Sequence, residues 1–347
     1  MRLITRAISG CLLSLLTFAR PAAAQTDWRV LKTFEIGSQG AWDYLTADPA
    51  THRLYVPRTT HTMVIDDETG AVIADIAGQK GAHGVAIAPR AGRGFISDGG
   101  VGSADGAIVV FDLRSNAVLG TLTTLSDTDG IIFDPNGGDP NSGYVLAVSG
   151  RGKALMTIRP DIDPVKGKID EPIPLHGEPE FLAVDGNGRA YVNLMTTNEV
   201  AVVDLKSRKV LENWPVAPGG SPVGMAIDVT KGLLFIGCRN PQKLIVMSTR
   251  DGKVISDMPI GPTVDAVKID GAQVFATTAG SQMFVAAETS AGKYKIVETV
   301  KTGEGAHTMG YDSASHRFFL PSADYETGAN GRLSQKPGTF RLLVVGR

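Results

Sequence analysis

Two histidines sit in nearly the same words of sequence, Gly81-Ala82-His83-Gly84 and Gly305-Ala306-His307-Thr308. Each opens a short apolar tract of a kind that recurs along the 347-residue chain, commonly closing on Asp. The tracts are Trp42–Asp48, His83–Ala88, Asp129–Asp134, Glu180–Asp185, Val223–Asp228, Asp265–Asp270 and His307–Asp312. Aligned on their closing residue, they place Asp43, His83, Asp129, Glu180, Val223, Asp265 and His307 at one equivalent point. Apart from Val223, all are ionisable and none is Lys or Arg. If the fold brings these points together, imidazole and carboxylate converge, which suits a divalent metal. It also suits general acid–base work, because crowded carboxylates raise one another's pKa. The metal expectation falls on His83, His307 and Asp43, and the catalytic one on His83, His307 and Glu180. The bland alternative is a polar, water-filled opening whose side chains cap strand ends.

The spacing says what must position them. The pattern returns about every forty residues. Each tract is followed by an aromatic-rich strand, such as Leu54-Tyr55-Val56 or Leu234-Phe235-Ile236, and then by an alternating apolar strand such as Val200–Asp204. In the first repeat the strands are expected at Tyr44–Ala47, Leu54–Pro57, Thr62–Asp66 and Val72–Ile76, with the turn Asp67-Glu68-Thr69-Gly70 before the last. A period of 40–45 residues carrying four short strands is the signature of a β-propeller blade. The fold expected is all-β: a seven-bladed β-propeller of four-stranded antiparallel blades. The last repeat lacks a fourth strand after Phe340–Val345, and Trp28–Gly37 has the form of one. The N-terminal strand is therefore expected to complete the last blade and close the ring.

In this architecture the first strand of each blade surrounds the central channel, and the loops after the second strands converge at one mouth. Those loops offer Arg58, Asp98, Arg151 and Arg239 as further ligand-binding candidates beside Asp129 and Asp265. Arginine there would hold an anionic group; otherwise these are rim charges paired with one another. Trp42 and Tyr44 flank Asp43, so strand alternation would turn both away from its direction and into the packing between blades. His61 and His176 are outer candidates. His52 and His316 fall on the opposite face with the turn arginines Arg53, Arg93, Arg189 and Arg317.

Composition bounds the rest. The formal net charge is −2 and there is no basic run, which disfavours nucleic acid as a partner. Arg2 and Arg6, the apolar run Cys11–Phe18 and Ala22-Ala23-Ala24 read as a signal peptide over residues 1–24. A single domain over 25–347 and a periplasmic or secreted location follow. The run is too short to span a bilayer. Cleavage would leave Cys238 without a partner, expected as a small buried apolar residue. There is no Cys-x-x-Cys-His, His-Glu-x-x-His, P-loop or dinucleotide fingerprint, so no haem, nucleotide or flavin cofactor is expected.

The tract Val64–Ile76 resembles the V-I-D-x-x-T-x-x-V-x-x-x-I register of YVTN-type propeller repeats, as do Val202–Val210 and Leu54–Val56. With the leader, the chain resembles an exported YncE-like propeller. That resemblance implies the fold over the whole mature chain and leaves several activities open. One is a binding protein for a small ligand or divalent metal at the channel mouth. Another is a lactonase-like hydrolase or a lyase using that mouth. The third is a monomeric scaffold that binds a protein partner on one face.

Overall fold

The structure, a computed structural model, describes residues 27–102, 105–137, 142–327 and 333–347. The expected leader and cleavage site lie outside the described residues. Strand follows strand along the chain; one short 3-10 turn at Pro89–Ala91 is the only helical element among the described residues. No helix there is long and apolar enough to cross a membrane.

The strands form a β-propeller of four-stranded antiparallel blades. Five stand as separate four-stranded sheets, and a sixth sheet has seven strands in sequence order. The strand Val72–Ala88 explains the larger sheet. Its residues 72–77 pair with Thr59–Asp66 as an outermost strand, while residues 82–88 pair with Arg93–Asp98 as an innermost one. The innermost segments adjoin in succession, from Thr46–Asp48 through Thr128–Asp134, Pro179–Val184, Pro222–Asp228 and Val264–Asp270, with Gly310–Asp312 back beside Thr46–Asp48. A small hairpin, Tyr325–Thr327 with Leu333–Gln335, stands outside this plan; no repeat signal in the sequence announces it.

The first described strand, Arg29–Glu35, pairs antiparallel with the last, Arg341–Gly346, from Arg29 opposite Gly346 to Glu35 opposite Arg341. It lies outermost in the sheet that ends inward on Gly310–Asp312. Trp28 and Phe34, six residues apart, would share a face of a regular strand. A register break between Val30 and Lys32 inserts one residue and reverses the phase. Trp28 therefore packs edge-on against Phe275 at 4.8 Å on one side. Phe34 instead joins Met63, Ile65, Phe340 and Leu342 in the core across the seam. Phe34 lies over Gly70, where φ is +76° and an added Cβ would come within 2.4 Å of the ring. Glycine there satisfies the turn and makes room for the aromatic at once.

The seam thus rests on two buried aromatics and one ladder. Phe34→Ala is expected to lower stability by about 3 kcal/mol, the usual cost of emptying an aromatic core site. Removing residues 28–36 should expose the edge of Arg341–Gly346 and yield aggregated protein. Urea unfolding of the first variant and size-exclusion of the second check this. Parent-like behaviour of the deletion would contradict closure through this strand.

Candidate functional site

At the channel mouth the inner strands stop being regular. Their ladders are broken between Ala82 and Val85, Pro179 and Leu182, Pro222 and Met225, and Val264 and Ala266. The partner of Thr128–Asp134 slips at the equivalent point. His83, Glu180, Val223, Asp265 and Asp129 sit in these breaks. A residue released from the ladder can be re-aimed, here toward the channel. Small residues follow several of them. An added Cβ on Gly130 would come within 2.5 Å of the Glu180 carbonyl oxygen, and one on Gly224 within 2.4 Å of that of Asp265. Each glycine lets the next blade press its own ring residue inward.

The result is one cup with two halves. In the first, His83 Nδ1 donates to Asp43 Oδ2 at 2.7 Å, and Asp129 Oδ1 lies 3.5 Å from the same nitrogen. In the second, Arg239 Nη2 donates to Asp265 Oδ1 at 2.6 Å and its Nε to the Val264 carbonyl at 3.1 Å. His307 Nδ1 donates to the Gly305 carbonyl at 2.6 Å, which leaves Nε2 toward Asp265 Oδ2 at 3.5 Å. Glu180 lies within the electrostatic reach of both halves.

Tyr44 forms the floor. Its ring stacks at a tilt on Phe181, with centroids 4.6 Å apart. Two inner strands separate Thr46–Asp48 from Pro179–Val184 on one side and three on the other, so this contact crosses the channel. Lys268, on a third inner strand, holds its Nζ 5.7 Å from the same Phe181 ring. The Tyr44 hydroxyl is buried without a hydrogen-bond partner and feels the charges of Asp265, Glu180, Asp129 and Asp43. Tyr44 was expected to turn away from Asp43. It does not, because the inner strand begins only at Thr46. Residues 41–45 lie outside any ladder, so alternation does not govern them. The repeat held a signal for this: Tyr44 occupies the position filled by Gly84, Gly130 and Gly224 elsewhere. Only Phe181 is comparably large at that position, and the two rings meet across the channel.

The electrostatics follow from enclosure. Burial pushes the Asp129 carboxyl up to about 8; His83 opposes this, and Asp43 and Asp265 add repulsion. Burial, with the charges of Asp129 and Asp265, lifts Glu180 to about 8. Asp43 reaches about 6, raised by burial and held back by its bond from His83. Burial also raises Asp265, against the pull of Arg239 and His307. Burial works against the His83 charge, but the Asp43 hydrogen bond and the Asp129 charge prevail and lift it to about 10. Asp43, His83 and Asp129 keep 21%, 30% and 17% of their side-chain surface open, so water and small ions reach them.

The other predicted residues fall elsewhere. Arg58 does not face a ligand: it is completely buried, donating from Nη2 to the Gly40 carbonyl at 2.6 Å and from Nε to that of Ala41 at 3.2 Å. Its guanidinium lies 3.6 Å from the Phe340 ring centre. It fastens the chain entering the first blade to the last one. Asp98 is likewise taken up by structure, accepting from the backbone amides of Lys80, Gly81 and Gly100. Arg151 stands exposed at the rim, 3.9 Å from Asp127, and donates to the Gly102 carbonyl. His61 and His176 face the outer carboxylates Asp75 and Glu199. The expected metal set of His83, His307 and Asp43 is also revised. The three ligating atoms that lie within 4.8 Å of one another belong to Asp43, His83 and Asp129.

No family model matches the sequence, and no curated protein does. The fold is similar to those of solved propellers. Hydrazine synthase of Kuenenia stuttgartiensis has a chain 13% identical, with a TM-score of 0.68 over 92% of this chain and 99% of that one. The WD40 repeats of RRP9 are 13% identical, with a TM-score of 0.72 over 92% and 98%. A chain of the mitotic checkpoint complex is 12% identical, with a TM-score of 0.72 over 99% of both chains. At such identities the likeness is one of fold.

The raised carboxyls carry a sign for stability. Unfolded Asp and Glu ionise near pH 4, whereas Asp129 and Glu180 hold their protons to about 8. Between these values the folded chain binds more protons than the unfolded one, so stability falls as pH rises through the window. His83 extends the fall from about 6.5 toward 10. Asp129→Asn and Glu180→Gln should therefore melt above the parent at pH 9 and alongside it at pH 5. Melting curves at the two pH values check this; a deficit at pH 9 would contradict it.

Proposed function

We propose that this chain is an exported, YncE-like, seven-bladed propeller whose channel mouth binds a small cation or a small ligand bearing a positive charge. The count of seven follows if the seven-stranded sheet is two blades joined through Val72–Ala88, each keeping four strands. The leader at residues 1–24 supports export, and the Val64–Ile76 register supports the family.

One observation carries the functional reading: four carboxyl groups share the cup, His83 and Arg239 are the cations paired with them, and Lys268 lies against the Phe181 ring below, around a buried Tyr44 hydroxyl that bonds to nothing. Fully ionised, the four carboxylates would outnumber His83 and Arg239 by two; near neutral pH Asp129 and Glu180 hold protons instead, which a bound cation would displace. A bound cation relieves that repulsion, and the Tyr44 ring beside the carboxyl groups suits an organic ammonium as well as an ion. Binding is favoured over the lyase or hydrolase reading because His83, fixed on Asp43, keeps its proton to about pH 10 and so makes a poor base near neutrality.

Trp42 stacks on His307 with centroids 6.4 Å apart and so reports on the cup. Putrescine, methylammonium and Mn2+ should be titrated while tryptophan emission and melting temperature are followed. At least one should bind saturably, and Glu180→Gln or Asp265→Asn should weaken it at least tenfold. If none binds, or if both variants bind like the parent, the reading fails.

A further inference from the structure

The cup is not equally suited to a cation throughout, and its first half has the features of a ligand set. His83 Nδ1, Asp43 Oδ2 and Asp129 Oδ1 come from three successive inner segments and lie within 4.8 Å of one another. Two of their separations are 2.7 and 3.5 Å. Donors about 2.1 Å from one tetrahedral ion stand about 3.4 Å apart, so small side-chain adjustments would admit an ion among them, which would displace the Nδ1 proton that His83 gives to Asp43.

Two further observations point to a ligand, the first of them independent of the acidic cluster. Tyr44 is only 8% exposed, and its unpartnered hydroxyl lies among the cup's carboxyl groups, feeling Asp265 and Glu180 first and then Asp129 and Asp43. Asp129 Oδ1 is also buried and accepts no hydrogen bond. Buried polar atoms are rarely left so unless something absent satisfies them. An ion and its water would serve both: the carboxylate oxygen as ligand, the phenol as hydrogen-bond partner of a bound water. The imidazole is also held in place. An added Cβ on Gly99 would lie 2.9 Å from His83 Nε2, so the backbone walls off that side of the ring and leaves Nδ1 toward the carboxylates.

We infer that Asp43, His83 and Asp129 form a three-ligand site for a single divalent transition-metal ion. This rests on the reading of the cup as a cation site and names the cation. One imidazole with two carboxylates favours Zn2+ or Mn2+ over Mg2+ and Ca2+, which prefer all-oxygen sets. Three protein ligands leave a position for water or a ligand atom, as in open metal sites. His307 stays outside the set, since its Nδ1 is bonded to Gly305 and its Nε2 faces Asp265.

The test uses the whole mature chain, stripped with chelator and titrated calorimetrically with ZnCl2, MnCl2 and MgCl2. One Zn2+ or Mn2+ should bind per chain, more tightly than Mg2+. His83→Ala and Asp129→Asn should each weaken binding about a hundredfold, and His307→Ala less than threefold. Electron-spin-echo spectra of the Mn2+-loaded parent should show coupling to one imidazole nitrogen, a readout that does not depend on any variant folding. Equal loss in His307→Ala and His83→Ala, or no imidazole coupling, overturns the assignment. If the parent takes no dication yet still binds putrescine, the metal inference falls and the cation cup stands. If it binds neither, both fall.

Discussion

Carboxyl groups that face one another in an enclosed space repel, and a fold that gathers four of them must be held together by something else. Here His83 and Arg239 supply the opposing charges, one in each half of the cup. They do not balance the set, and Asp129 and Glu180 respond by keeping their protons to about pH 8. The cup is therefore an electrostatic load on the native state, of the kind expected where a protein keeps charge for binding.

The scaffold that carries this load is cross-strand packing between neighbouring blades, and its vulnerable point is the seam. Trp28 and Phe34 grip opposite neighbours because a single extra residue between them reverses the strand's phase. Arg58 adds a second fastening: its guanidinium ties Gly40 and Ala41 of the entering chain against Phe340 of the closing blade. Immediately after that fastening come Trp42, Asp43 and Tyr44. The segment that closes the ring thus also delivers one carboxylate of the cup, its floor and an aromatic against His307. Closure and site construction are one structural event.

Much of this was legible in the sequence because the repeat supplies an internal alignment. The recurring closing residue picks out Asp43, His83, Asp129, Glu180, Asp265 and His307, and the structure brings them to one mouth. Pairing within the cup was not legible. His83 and His307 share a Gly-Ala-His context, yet one bonds Asp43 and the other faces Asp265, a difference set by which blades lie on either side. Tyr44 escaped because a period-2 rule was applied to residues that are not in a strand. Arg58 and Asp98 were misplaced for another reason. Sequence assigns a loop residue to one end of a blade, but whether its side chain faces the ligand or a neighbouring loop's backbone depends on three-dimensional contacts.

The central claim is that the cup gathers more carboxyl groups than its own cations can keep ionised, so that two of them hold protons near neutral pH. Carboxyl NMR of the cation-free protein, labelled with 13C at Asp and Glu side chains and titrated from pH 4 to 10, tests it directly. Two carboxyl resonances should titrate near pH 8, one vanishing in Asp129→Asn and the other in Glu180→Gln. If every carboxyl titrates below about pH 5, the ordinary range for solvated side chains, the cup is neutralised from within and the account is contradicted.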